Sequence, residues 1–185
     1  KLSAATAKNL TRSSVNIGSS GLIIARSVND KTGKVVIGSP TNEKIKIAGK
    51  IDVSGHRSLT PSGTIIVRGR SVTHNGKIFA RGGTGGKVNI ISKDTLKLDG
   101  SIFAQGTKEK GGSVLFLSEK SISSTPKTVV DVSGANKGGR IRSLAKTTNT
   151  SSGTFKSNSE GGKGGNIDLT GDRVEISNAK IEATG

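Results

Sequence analysis

The sequence predicts an all-β protein, a right-handed parallel β-helix with three short strands in each coil of about 26 residues. Three observations lead to this prediction. Short segments alternate between polar and apolar residues, the alternation recurs at a nearly constant spacing, and the chain combines 27 Gly with only 2% aromatic residues in 185. A solenoid unites them, because stacked coils can bury many small aliphatic side chains.

Alternation is the primary evidence for strands. Residues 44–47 read Lys-Ile-Lys-Ile, and residues 87–90 read Lys-Val-Asn-Ile. A period of two is typical of a half-buried strand, and no stretch shows the three-and-four spacing of a helix. A high content of Gly and charged residues with few aromatics would also fit a disordered chain. Regular alternation of polar and apolar residues is not expected in a disordered chain.

The apolar positions fall into three sets that repeat about once per coil. The first set is Val35, Ile65, Val88, Val114, Ile141 and Ile167. The second set is Ile23, Ile51, Ile78, Ile102, Val130, Phe155 and Ile181. The third set is Val15, Ile45, Val72, Leu96, Ile122 and Val174. We expect each set to stack into one inward column, with glycine at the sharp corners between strands. A β-sandwich also alternates, but it rarely keeps three sets in step over six units.

The domain organisation follows from the same repeat. We expect residues 1–20 to form an N-terminal edge or partial coil and residues 21–185 to form the coils, within one domain. The third set has no clear member in the polar segment 145–164, where we expect an irregular polar excursion, either an irregular strand or a mobile loop. The chain ends at the end of a coil without a cap, which suggests a segment of a longer fibre. Six coils and a partial one would make a rod of roughly 30–35 Å.

The charge raises the question of a binding surface. There are 29 Lys and Arg against 13 Asp and Glu, a formal charge of +16. The pattern predicts an outward basic surface, comprising Lys44, Lys46, Lys50, Lys77, Lys87, Lys97, Arg140 and Arg142. It either keeps the rod soluble and unpaired or attracts a host-cell surface, a glycan or an acidic polysaccharide. Nucleic acid is disfavoured, since there is no Trp or Tyr to stack on bases. No apolar run is long enough for a membrane span.

A second candidate surface is aromatic. Phe79 and Phe103 occupy the same outward position in consecutive coils, so their rings should stack on the surface. Two adjacent exposed rings can seat a sugar or a partner. The alternative is that a neighbouring excursion, such as residues 56–62, covers them.

Catalysis and cofactors are not expected. The 13 acidic residues are sparse and fall on different coils or strands, without the grouped carboxylates that a polysaccharide-cleaving β-helix needs. His56 and His74 show no metal-binding spacing, and the absence of Cys excludes a thiolate site. The glycine-rich segment 82–87 lacks the spacing of a phosphate loop and is interpreted as a corner. We therefore expect a non-enzymatic protein, with a polysaccharide lyase kept as a remote alternative.

Several coil segments resemble a known family. Residues 49–55 read Gly-Lys-Ile-Asp-Val-Ser-Gly, residues 76–82 read Gly-Lys-Ile-Phe-Ala-Arg-Gly, and residues 100–106 read Gly-Ser-Ile-Phe-Ala-Gln-Gly. Together with residues 129–134 and 161–169, they resemble the filamentous-haemagglutinin-like large exoproteins of Gram-negative two-partner secretion systems. The resemblance covers nearly the whole chain from about Gly21.

This resemblance implies a function and a location. Members of the family are secreted or cell-surface β-helices that cross the outer membrane unfolded through a dedicated β-barrel transporter, and the absence of Cys suits that route. They act as adhesins, biofilm-matrix proteins or carriers of toxins. We therefore expect an adhesin segment that attaches to host cells, other bacteria or matrix polysaccharide. The alternative is a passive stalk in a contact-dependent growth inhibition toxin carrier.

Overall fold

The computed structural model describes residues 14–28, 32–38, 44–56 and 60–185. This part of the chain forms a right-handed parallel β-helix of about six turns, with successive turns about 26 residues apart and no helix. The fold class predicted from the sequence is therefore confirmed. Since the described residues form strands and turns only, they include no helix long and apolar enough to cross a membrane.

Sixteen strands make up the described coils. In chain order they are β1 (Ser14–Ile17), β2 (Leu22–Ile24), β3 (Lys34–Gly38), β4 (Lys44–Ile47), β5 (Lys50–Asp52), β6 (Thr64–His74), β7 (Lys77–Phe79), β8 (Lys87–Leu98), β9 (Ser101–Phe103), β10 (Ser113–Ser118), β11 (Ser121–Ser124), β12 (Val129–Asp131), β13 (Arg140–Ala145), β14 (Thr148–Lys156), β15 (Asn166–Thr170) and β16 (Arg173–Glu182).

Parallel pairing arranges these strands on three faces. The first face holds β3, the start of β6, the start of β8, β10, β13 and β15. The second face holds β2, β5, β7, β9, β12 and the ends of β14 and β16. The third face holds β1, β4, the ends of β6 and β8, β11, and the starts of β14 and β16. Strands β6, β8, β14 and β16 each contribute to two faces, so they turn a corner without a break.

The register confirms the three predicted inward columns. On the first face, Val35 pairs with Ile65 and Ile141 pairs with Ile167. On the second face, the column runs without a gap from Ile23 to Ile181. Most of these side chains are fully buried, and burial of each large aliphatic side chain contributes about 1.5–3 kcal/mol. The core is therefore a stack of Ile, Val and Leu, to which Phe116 and Phe155 add two buried rings.

Within residues 145–164, where the sequence predicted an irregular strand or a mobile loop, the structure has a strand with one irregularity. Residues Thr148–Lys156 form β14, which pairs with β11, β12 and β16, and Asn149 fills the gap in the third column between Ile122 and Val174. The only departure within β14 is a shift of register between Ser151 and Gly153. Asn149 can replace an aliphatic residue because its amide is hydrogen-bonded inside the core, to the carbonyl oxygens of Ser143 at 2.7 Å and Thr170 at 3.1 Å.

The N-terminal edge is described only from residue 14 onward. Within the predicted range 1–20, residues Ser14–Ile17 form β1, which pairs in register with β4. This strand extends the third inward column by one coil through Val15. Residues 1–13 lie outside the described part of the chain.

Candidate functional site

The two predicted surface phenylalanines stack on the second face. Phe79 ends β7 and Phe103 ends β9, and the two residues pair directly in the parallel register. Their ring centroids lie 5.6 Å apart with an angle of 15° between the ring planes. Both side chains point outward because their neighbours in the chain, an Ile before and an Ala after each Phe, are buried. The predicted adjacency of the rings is therefore present in the structure.

Basic side chains cover these rings. The Arg81 guanidinium carbon lies 5.1 Å from the centroid of Phe79 and 4.4 Å from that of Phe103, and the Lys50 Nζ lies 4.8 Å from the Phe79 centroid. A cation over a ring face is attracted by about 0.5–1 kcal/mol at an exposed site. Arg81 and Lys50 therefore occupy part of the ring surface. The sequence suggested that residues 56–62 cover the rings, and of these, residues 57–59 lie outside the described part of the chain.

The same outward column continues into a charged pocket at Asp52. Asp52 pairs with Phe79 in the register, and its side chain is buried beneath Arg26, whose Nη2 lies 2.9 Å from Oδ2. Burial opposes ionisation of Asp52, but hydrogen bonds from the Ser54 N–H and the Arg26 guanidinium outweigh it and hold the pKa of Asp52 below its usual range. A groove of about 420 Å³ runs over this pocket and past Phe79 to Thr107. Asp52 thus neutralises part of the positive charge at this site.

The eight predicted basic residues do not form one patch. Their positions divide by face: Lys44, Lys46 and Lys97 on the third, Lys50 and Lys77 on the second, and Lys87, Arg140 and Arg142 on the first. All are exposed except Arg142, which is half-buried. Arg140 is also engaged, since its Nη2 lies 2.8 Å from Oδ2 of Asp168. Outward placement is therefore correct, but it brings only Lys50 and Lys77 into adjacent positions, since these two pair in the register.

A second group of lysines does come together, at the corner between the second and first faces. Lys110, Lys137 and Lys163 lie one above another in consecutive coils, joined by parallel backbone bridges from Lys110 to Lys137 and from Lys137 to Lys163. Each is exposed. Adjacent members are separated by one strand spacing, about 4.8 Å along the helix axis. We call these three residues the lysine column.

Lys110 and Lys137 line a groove with a glycine floor, and Lys163 continues their row in the next coil. Each lysine precedes two glycines, and these pairs stack as Gly111-Gly112, Gly138-Gly139 and Gly164-Gly165. The groove has a volume of about 550 Å³. Its opposite wall is a column in register, which comprises Thr64, Lys87, Ser113, Arg140 and Asn166. We call this feature the Lys-Gly-Gly groove.

The floor of the groove offers few backbone donors to a ligand, because five of its six glycine N–H groups donate to carbonyl oxygens of the protein. The N–H groups of Gly111 and Gly138 donate to the carbonyl oxygens of Lys137 and Lys163 in the next coil. In the coil before, the N–H groups of Gly85 and Gly86 donate to carbonyl oxygens of Lys110 and Ala80, so the glycine-rich segment 82–87 is a corner, as the sequence indicated. An anion-binding nest needs free, converging N–H groups. The positive charge of the groove therefore comes mainly from side chains.

The lysine column could not be predicted from alternation, because corner residues do not alternate. A signal was nevertheless present: the triplet Lys-Gly-Gly occurs at residues 110–112, 137–139 and 163–165, in phase with the coil repeat. Glycine at a corner is set by close backbone contact, but nothing in the turn requires a lysine before it.

Acidic residues form no comparable group. Within the described ranges, no three His, Asp or Glu side chains lie close enough together to hold a metal ion. Three of the acids of the last coil are in ion pairs: Asp168 with Arg140, Glu175 with Arg173 at 2.5 Å, and Glu182 with Lys180 and Lys156. The Lys180 hydrogen bond, more than that of Lys156, holds the pKa of Glu182 below its usual value, although desolvation opposes it.

Comparison with protein-family models, with curated proteins and with solved structures finds no match for this chain.

Proposed function

We propose that this chain is a non-catalytic rod segment of a secreted or cell-surface adhesin, which holds binding surfaces at a distance from the cell. The observation that supports this proposal is the unbroken stack of coils, in which three inward columns form the core and the alternate residues face outward. Six strand spacings separate Ile23 from Ile181, so the second face is about 29 Å long. Outward rows of this kind suit attachment to a host cell, another bacterium or a matrix polysaccharide.

The proposal includes the route to the cell surface. By its resemblance to filamentous-haemagglutinin-like exoproteins, the chain would be exported unfolded through an outer-membrane transporter of a Gram-negative bacterium. Two features are compatible with this route. The chain contains no Cys that could be locked by a disulfide, and each coil pairs only with its neighbours, so folding can proceed coil by coil as the chain emerges.

One observation favours the second candidate, a passive stalk of a toxin carrier. The phenylalanine pair, the most evident contact site in the sequence, is already covered by Arg81 and Lys50. Covered rings stabilise the rod without requiring a ligand. The two functions therefore differ in whether the second face binds anything.

An attachment assay separates these two candidates. Beads coated with the chain should bind epithelial or bacterial cells saturably, and more strongly than beads coated with polylysine at matched surface charge. The double variant Phe79→Ser/Phe103→Ser should unfold at a lower temperature, because it removes the ring stack and its cation contacts. If its attachment is unchanged, the rings have a structural role only. Attachment no stronger than that of polylysine would contradict the adhesin function and favour the stalk.

A further inference from the structure

We infer that the Lys-Gly-Gly groove binds a linear acidic polysaccharide that runs along the helix axis, with its sulfate or carboxylate groups on Lys110, Lys137 and Lys163. This inference rests on the proposed function and deepens it by naming the class of ligand and the site. The sequence-predicted basic residues play no part in it except Lys87 and Arg140, which lie on the opposite wall.

The charge of the lysine column is not neutralised within the described part of the protein. None of the three lysines of the column forms an ion pair with a carboxylate among the described residues, whereas Arg26, Arg70 and Arg140 all do. Glu109, the neighbour of Lys110 in the chain, instead accepts a hydrogen bond from the Thr84 hydroxyl. Three unpaired cations in one row attract a polyanion more strongly than the same charges spread over three faces.

The shape of the site favours an extended ligand. The column rises by about 4.8 Å per lysine, so its charges are arranged along a line parallel to the axis. A ligand that matches them must be extended and must carry repeated anionic groups. An isolated phosphate or sulfate ion is too small to contact all three lysines, because the column extends over two strand spacings.

The side chains that line the groove favour a polysaccharide over a nucleic acid. The walls of the groove carry the Thr64 and Ser113 hydroxyls and the Asn166 amide, which can exchange hydrogen bonds with sugar hydroxyls. No aromatic side chain lines the groove. Phe79 and Phe103 are stacked on the second face, and Phe116 and Phe155 are buried in the core. Single-stranded nucleic acid binds largely through stacking of bases on rings, so this surface favours a ligand without bases.

The test compares two triple variants with the same change in net charge. Lys110→Gln/Lys137→Gln/Lys163→Gln removes the column, and Lys44→Gln/Lys46→Gln/Lys97→Gln removes three exposed lysines from the third face. Binding of dextran sulfate, polygalacturonate and single-stranded oligo(dT) to the whole chain is measured by calorimetry between about 50 mM and 200 mM salt. Far-UV circular dichroism and thermal unfolding establish that each variant is folded.

We expect the column variant to bind the preferred polysaccharide at least about tenfold more weakly than the wild type, and the third-face variant within about threefold of it. A plot of log K against log salt concentration has a negative slope for the wild type. This slope should become less negative by about 2 in the column variant, as expected for the loss of three ionic contacts. Dextran sulfate and polygalacturonate decide whether the anionic group is a sulfate or a carboxylate.

Three results would overturn the inference. They are equal losses in the two triple variants, tighter binding of oligo(dT) than of either polysaccharide at the same salt, and no binding by the wild type. If the triple column variant does not fold, the single variant Lys137→Glu takes its place and must weaken binding more than Lys46→Glu. Bead attachment that persists while polysaccharide binding is absent would overturn the groove and leave the proposed adhesin function standing.

Discussion

At the scale of single residues, His74 is the most unusual member of the core. It lies in the third face, where its partners in the adjacent coils are Ile47 and Leu98, and it is 1% exposed. Its Nε2 lies 3.4 Å from the Ser101 carbonyl oxygen, and its Nδ1 has no hydrogen-bond partner. Burial lowers the pKa of His74 to about 4, and the Ser101 carbonyl opposes this only in part. The ring is therefore neutral in the folded protein at neutral pH.

This histidine should make the protein sensitive to acid. Because its pKa falls from 6.5 in the unfolded chain to about 4 in the folded one, the unfolded state binds more protons between these values. The free energy of unfolding should be at its full value above pH 6.5 and decrease by roughly 3 kcal/mol as the pH falls to about 4. Urea unfolding at a series of pH values measures this decrease.

His74→Leu should remove most of that pH dependence and extend the aliphatic column. His56→Gln, which removes the exposed histidine instead, is the matched control and should retain the wild-type decrease. A His74→Leu protein with the same pH dependence as the wild type would show that the acid sensitivity arises elsewhere.

Asn149 shows why some residues were predictable and others were not. Inward positions such as Ile141 could be assigned from the sequence because alternation directly reflects which face is buried. Asn149 is polar, so its place in the column depends on partners from other strands: Ser143, whose carbonyl oxygen and hydroxyl both contact its amide, Ser151 and Thr170. No local pattern contains that information, and the lysine column escaped detection for the related reason that corners do not alternate.

At the scale of elements, the corners between strands depend on close contacts of the backbone. A Cβ atom added at Gly111 would lie 1.7 Å from the Val132 carbonyl oxygen, which is fixed by hydrogen bonding to the N–H of Gly139. No rotation of a side chain can relieve that contact. Gly161, in a turn of the fifth coil, has its nearest atom at 3.7 Å, the Ala135 carbonyl oxygen. Glycine is thus required sterically at some corners and not at others.

Gly111→Ala should therefore destabilise the protein by roughly 3 kcal/mol or more, because the corner must open and its inter-coil hydrogen bonds must lengthen. Gly161→Ala should change the free energy of unfolding by about 0.5 kcal/mol or less. Thermal and urea unfolding of the two variants provide the comparison. Equal effects would contradict the assignment of Gly111 as a sterically required corner.

At the scale of the whole molecule, the dominant feature is the imbalance of charge. Even if all 13 carboxylates were paired, 16 cations would remain without a partner. Ion pairs such as Arg70–Asp94, at 2.6 Å, contribute little at an exposed surface. Repulsion among the remaining cations therefore outweighs attraction, and it disfavours the compact state.

Added salt should stabilise this protein. Screening at about 0.1 M shortens the range of charge interactions to about 10 Å, so the melting temperature should rise with sodium chloride concentration. The variant Lys44→Gln/Lys46→Gln/Lys97→Gln should show a smaller rise, because it begins with less repulsion. Differential scanning calorimetry at low and high salt checks both expectations, and a melting temperature that falls with salt would contradict them.

The saturation of corner hydrogen bonds has a consequence for how such a rod can change through evolution. Since most of the backbone donors at the groove floor are already hydrogen-bonded within the protein, a ligand there must be recognised mainly by side chains that point outward. Those side chains contribute little to the inward columns that define the register. Mutation can therefore alter what the surface binds, one row at a time, while the folding of the coils is conserved, so specificity and architecture can evolve independently in this molecule.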